Sequence, residues 1–171
     1  GHKDKKNKIY IQSASIGEKK NKIEIKNIYF DKNFKIEKFD NISLNYFDKD
    51  NKKNSIKVYK DKNKYILIGD YFNSDNLIQN ILFNDKQSNY FSKDFEIDLN
   101  IKKVLLDEEF FLDNLNGSLY FKNQKLFDGK LKGHFPDNKK MVFTIKTIKN
   151  EKITTFFIDH AKPIVKRYKF I

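Results

Sequence analysis

A chain of 171 residues, 39% of them hydrophobic and none a cysteine, has enough apolar material for one domain and excludes a disulfide framework or a thiolate metal site. Its net charge of +12 is uneven, with residues 1–60 carrying +8, residues 61–113 carrying −5 and residues 114–171 carrying +9, and Arg167 is the only arginine. An acidic middle and the near absence of the side chain that forks onto guanine set nucleic acid aside as a partner, in favour of solvated lysines on polar strand faces; no run approaches the roughly 20 apolar residues of a membrane-spanning helix.

From the N-terminus, a lysine-rich leader precedes a first strand over Lys8–Ser13, and Gly17–Asn21 reads as a turn. Ile23 and Ile25 are followed by Ile28 and Phe30. The step from odd to even positions at Lys26-Asn27 predicts a bulge or turn, because a strand alternates its faces with a period of two. Asp31-Lys32-Asn33 is a turn, Phe34 and Ile36 follow, and Ile42, Leu44 and Tyr46 mark the next strand. Asp48–Asn54 holds only Asp, Asn and Lys and predicts a mobile loop. Strands are expected over Ser55–Lys60 and Tyr65–Tyr71. Ser74-Asp75-Asn76 ahead of Leu77, Ile78, Ile81 and Leu82 then has the capping residue and spacing of a short helix over Ser74–Phe83.

The second half is a meander. Phe95, Ile97, Leu99 and Ile101 alternate with Asp94, Glu96, Asp98 and Asn100, and the pattern returns at Leu115–Phe121, Phe127–Phe135, Met141–Ile145 and Ile153–Phe157. Turns are expected at Asp113-Asn114, Lys122–Gln124, Pro136–Asn138 and Lys149–Glu151. A second helix is expected over Asp159–Tyr168. Strand followed by short helix thus occurs twice, and aligning Leu77 with Ile164 gives an offset of 87 residues. Gly1-His2 reads as a tag remnant and the chain stops on Phe170-Ile171. Residues 3–171 are therefore expected to be a single β-rich segment, with repeat units 3–83 and 90–171, cut from a longer repetitive protein.

Little chemistry accompanies this pattern. His134 and His160 have no acidic or histidine partner at ligand spacing, and Asp107-Glu108-Glu109 lacks the spaced oxygens and glycine of a calcium loop. Gly117, Gly129 and Gly133 fall on the strand periodicity, where a missing side chain permits a kink or close packing. No catalytic residue, metal site or cofactor is assigned, and the chain is expected not to be an enzyme. The 26 Phe and Tyr residues read as core or apolar lining, with Tyr10, Tyr29, Tyr46 and Tyr120 at a rim, ring buried and hydroxyl wet. The fold class is mainly β: a curved antiparallel sheet or half-pipe of amphipathic strands with two short helices. Closed into a sandwich or barrel, its apolar face would be core; opened into a trough, that face would line a groove.

The run Asp94–Leu106, the segments Leu112–Leu119 and Leu126–Gly133, and Ile158-Asp159-His160-Ala161-Lys162-Pro163-Ile164-Val165 together resemble the recurring unit of the AsmA-like superfamily, most closely its YhdP-type branch. That unit reads as an alternating strand, two glycine-punctuated strands, a hairpin and a helix opening on acidic-Ala-Gly; here Lys162 stands where the family has Gly. Gly69–Ile78 resembles the upstream strand-to-helix junction of the family. The resemblance implies a periplasmic protein of a diderm bacterium, anchored in the inner membrane by a segment outside this chain. It also implies a half-pipe that carries phospholipid acyl chains between the inner and outer membranes. On that reading Phe95, Ile97, Leu99, Leu119, Phe121, Leu131, Phe135, Phe143 and Ile145 bind lipid. The alternative is a closed β-sandwich interaction module with no lipid role. Oligomerisation through exposed strand edges is open to either.

Overall fold

The structure is a computed structural model that describes residues 2–3, 9–74, 91–106, 110–123, 125–149 and 151–159. Among these the chain forms twelve strands and no helix. The first seven are β1 (His2–Lys3), β2 (Ile9–Glu18), β3 (Asn21–Phe30), β4 (Ile36–Lys38), β5 (Asn41–Phe47), β6 (Lys53–Asp61) and β7 (Lys64–Asn73). The remaining five are β8 (Phe95–Leu105), β9 (Phe111–Lys122), β10 (Lys125–His134), β11 (Lys140–Ile148) and β12 (Glu151–Ile158). The helices expected over 74–83 and 159–168 lie outside the described residues except at Ser74 and Asp159.

All twelve strands belong to one open, curved sheet in the order β1-β2-β3-β5-β6-β7-β8-β9-β10-β11-β12, with β4 paired to β3 beside that path. Consecutive strands joined by short turns pair antiparallel, as hairpins must. The expectation of an antiparallel sheet fails at one joint: β7 and β8 run parallel over eight register pairs, from Tyr65↔Ile97 to Asn73↔Leu105. The reason is the long connection between them. Ser74 donates to the Leu105 carbonyl from both its N–H (2.9 Å) and its hydroxyl (2.7 Å), at the C-terminal end of β8. The chain returns beside β4, where Ser92 N–H donates to the Ile36 carbonyl (2.9 Å) and Phe91 bridges Ile36. The two described ends of the connection thus lie at opposite ends of β8, as a parallel pair requires, and only a connection of a dozen or more residues allows that.

The offset of 87 residues recurs in the described strands. β6 starts at Lys53 and β11 at Lys140; β7 starts at Lys64 and β12 at Glu151. Three pairs of left-handed residues keep the same spacing: Asn27 with Asn114, Asn51 with Asn138, and Lys62 with Lys149, all with φ between 50° and 60°. The turn bonds repeat as well. Asn51 N–H donates to Asp48 O and Asp48 N–H to Lys52 O, and Asn138 N–H donates to Phe135 O and Phe135 N–H to Lys139 O. Five strands (β2, β3, β5, β6, β7) and five strands (β8–β12) are therefore two copies of one meander, joined in parallel.

The bulge expected at Lys26-Asn27 falls where Asn27 takes φ 51° inside β3. Asp113-Asn114, read as a turn, is instead the same kink inside β9, with Asn114 at φ 52°. Asparagine tolerates the left-handed region in either setting, so composition cannot separate the two. The turn read at Gly17–Asn21 narrows to Lys19-Lys20, because β2 continues to Glu18. The loop read over Asp48–Asn54 also ends early: Lys53 and Asn54 open β6, and Asn54 is fully buried. Its carboxamide accepts from Asn73 N–H (2.6 Å) and donates to Lys52 O (3.1 Å), so a polar residue is stable inside because its bonds are made there.

Candidate functional site

Residues paired across a ladder share a face, so register alone assembles the apolar surface. One row runs Ile42–Val58–Leu67–Leu99–Gly117–Leu131–Phe143–Phe156. Another runs Tyr65–Ile97–Leu119–Gly129–Ile145, and Phe95 faces Phe121 beyond it. Eight of the nine residues expected on the apolar face lie in these rows. The ninth, Phe135, follows β10 in a turn and packs with Leu131, Met141 and Phe143 in the same cluster.

Seven of the nine are half-buried, while Phe135 and Ile145 are only 4% and 5% exposed and belong to the core. Sheet curvature lets the rows touch one another, forming a large cluster around Ile56, Ile101, Leu112, Leu115 and Met141. A smaller one forms around Ile28, Phe39 and Tyr65. Aromatic rings line the smaller one: Phe95 stacks on Phe121 (4.7 Å) and meets Phe91 (4.6 Å) and the edge of Tyr65 (6.1 Å). Tyr65 stacks on Phe39 (4.5 Å) and its hydroxyl accepts from Phe39 N–H (3.3 Å).

The first meander contributes Ile42, Leu44, Val58 and Leu67 to the same surface, residues not assigned from the sequence as site residues. Their alternation was present in it, at Ile42/Leu44 and Tyr65/Leu67. The alternation in β8 is broken at Lys102-Lys103: both are exposed, whereas Ile101 and Val104 are 4% and 3% exposed. This break faces the Asn114 kink, so two successive residues turn outward together.

Two glycines let the rows close up. A Cβ on Gly117, where φ is 145°, would meet the Lys130 carbonyl oxygen at 1.9 Å, and one on Gly129 would meet Leu119 Cδ2 at 2.6 Å. The opposite face is mainly polar, although Ile68 stands exposed on it, as do Ile153 and Phe157, which the alternation placed with the apolar residues and the β11–β12 register puts on the other side. Ion pairs cross the parallel joint on this face. Lys64 pairs with Asp98, and Lys102 Nζ lies 2.7 Å from Asp70 Oδ1. The Lys102 ammonium holds the Asp70 carboxyl below its ordinary range, and Asp70 raises Lys102 in return. Exposed pairs of this kind are screened by water, so they orient the joint more than they hold it.

Tyr10 stacks on Tyr29 (4.6 Å) and donates to Asn27 Oδ1 (2.6 Å), while burial raises the Tyr10 hydroxyl. Burial, with Asp48 and Asp50 nearby, pushes the Tyr71 hydroxyl up to about 12. A polar cavity of about 400 Å3 at the end of the second meander is bordered by Lys102, Asp113, His134, Pro136 and Asn138. No group of three or more metal-ligating side chains forms among the described residues. Compared with family models, curated proteins and solved structures, the chain matches none of them.

Proposed function

We propose that the apolar face binds phospholipid acyl chains, and that the chain is a segment of an AsmA-like lipid-transport protein working in the periplasm between inner and outer membranes. The observation that carries this reading is the uninterrupted apolar row from Ile42 on β5 to Phe156 on β12, on one face of a sheet whose outer strands do not meet among the described residues. An apolar surface of that extent on a single open sheet calls for a covering. Acyl chains supply it without specific pockets, at about 0.8 kcal/mol for each buried CH₂ group. The half-pipe then holds tails inside and leaves headgroups and the lysine-rich face in water. Sliding along such a groove needs no chemical step and no cofactor.

A closed sandwich module would cover the same face with a second sheet. The described strands form one sheet in continuous order, which favours the trough. The deciding experiment is organic extraction of the purified, folded protein followed by lipid mass spectrometry. Phospholipid in a constant ratio to protein, lost in a folded Phe143→Asp variant, is the expected result. A lipid-free extract from protein expressed in a diderm bacterium, together with no binding of a hydrophobic dye, would overturn it.

A further inference from the structure

We infer that the edge of β12 left unpaired among the described residues receives β2 of a second copy of this chain, in parallel and in the register that β7 uses for β8. The inference stands on the repeat, applies to residues 1–171 taken by themselves and does not depend on the lipid reading. β12 is the equivalent of β7 at the offset of 87 residues. In the first meander the far edge of β7 is covered by the first strand of the next meander, over eight register pairs. In the second, the far edge of β12 is unpaired among the described residues. Exposure follows from this difference: seven of the eight β12 residues are exposed, against two of ten in β7. Ile153, Phe156 and Phe157 are 50%, 41% and 55% exposed, an apolar edge of the kind that templates strand addition.

The matching strand lies at the other end of the sheet. Ile11 pairs with Ile28 as Ile101 pairs with Leu115, and Ile28 and Leu115 are themselves 87 residues apart, so β2 is the equivalent of β8. Among the described residues, the outer side of β2 is held at Ile9 and Tyr10 alone, by the two residues of β1. An incoming strand displaces these two pairs and gains more. Carrying the β7–β8 register across, Gly69↔Ile101 becomes Phe156 beside Ile11, and Leu67↔Leu99 becomes Thr154 beside Ile9. The Phe143–Phe156 row then continues through Ile11 to Ile28, and the apolar face passes from one molecule to the next without a break. Because the two edges differ, the contact is head-to-tail and extends instead of closing into a dimer.

Asp70 and Lys102, which touch across the β7–β8 joint, correspond to Phe157 and Gln12. Both latter residues are exposed, and the chain has no cysteine of its own. Phe157→Cys and Gln12→Cys variants, purified apart, are mixed and treated with a short bismaleimide. Cross-linked dimer is expected in the mixture and not from either variant alone, together with sedimentation that grows and becomes more elongated as unmodified protein is concentrated. Phe156→Lys, folded by circular dichroism, is expected to abolish both. Cross-linking of Phe157→Cys with itself would show a two-fold β12–β12 pairing and overturn the inference, as would a monomer at every concentration. Neither result bears on lipid extraction, which reads the face and not the edge.

Discussion

Asn27 and Asn114 stand 87 residues apart, hold φ at 51° and 52°, and each immediately precedes a buried aliphatic residue, Ile28 in one meander and Leu115 in the other. A left-handed residue inside a strand moves the next side chain to the face it would otherwise miss. Replacing Asn114 by Val should cost about 1–2 kcal/mol, the strain of a β-branched residue in that region, while Asn114→Gly should be near neutral. Asn27→Val should cost more, because the Asn27 side chain also accepts from Tyr10 (2.6 Å) and donates to Asp40 (2.7 Å). Urea unfolding of the three single variants measures the difference, and equal losses for the two valine variants would contradict the extra role of Asn27.

Gly117 faces the Lys130 carbonyl so closely that any side chain requires the backbone of β10 to move. Gly117→Ala is expected to lose about 3 kcal/mol or more, at the upper end of overpacking with backbone strain added. Gly17→Ala, whose Cβ would meet Asn21 O at 3.5 Å, is the matched control and should change stability by less than about 0.5 kcal/mol. Thermal melts of the two variants would show whether β9 and β10 are as close as stated.

Leu119 lies on the apolar face, and its neighbour Ser118 pairs with Asp98 and Lys130 on the polar one. A photo-crosslinking amino acid at 119 should capture lipid in cells and one at 118 should not. Capture at 118 alone would reverse the assignment of faces and with it the proposed groove.

Asp48 gathers the start of β6 and the end of β7. Burial pushes its carboxyl up, but bonds from Lys52 N–H (2.9 Å), Asn73 Nδ2 (3.2 Å), Asn54 Nδ2 (3.4 Å) and Asp50 N–H (3.1 Å) outweigh it, and the net shift is downward. A carboxyl lowered in the folded state binds its proton more readily when unfolded. Its contribution is thus complete above the ordinary carboxylate range and is lost as pH falls through the folded value. Unfolding free energy should therefore drop below about pH 4, and part of that drop should vanish in Asp48→Asn. Asn54→Leu, which strands the Asn73 N–H, should cost about 1–3 kcal/mol at neutral pH.

Period-two alternation was enough to place most strands and to put eight of the nine expected lining residues on one face, because side-chain direction in a strand is a local property of the backbone. The offset of 87 residues was legible for the same reason: each meander carries its own copy of the pattern. Burial of Asn54 was not legible, since in the sequence it belongs to a stretch of Asp, Asn and Lys and only the fold brings Asn73 and Asp48 to it. Nor was the Asn114 kink, which reads as a turn until its partners on β8 and β10 are in place. The parallel joint of β7 and β8 and the openness of the sheet were decided by tertiary structure alone. Every strand edge offers the same N–H and C=O groups, so which edges meet depends on where a long crossover returns the chain, not on the residues of either strand.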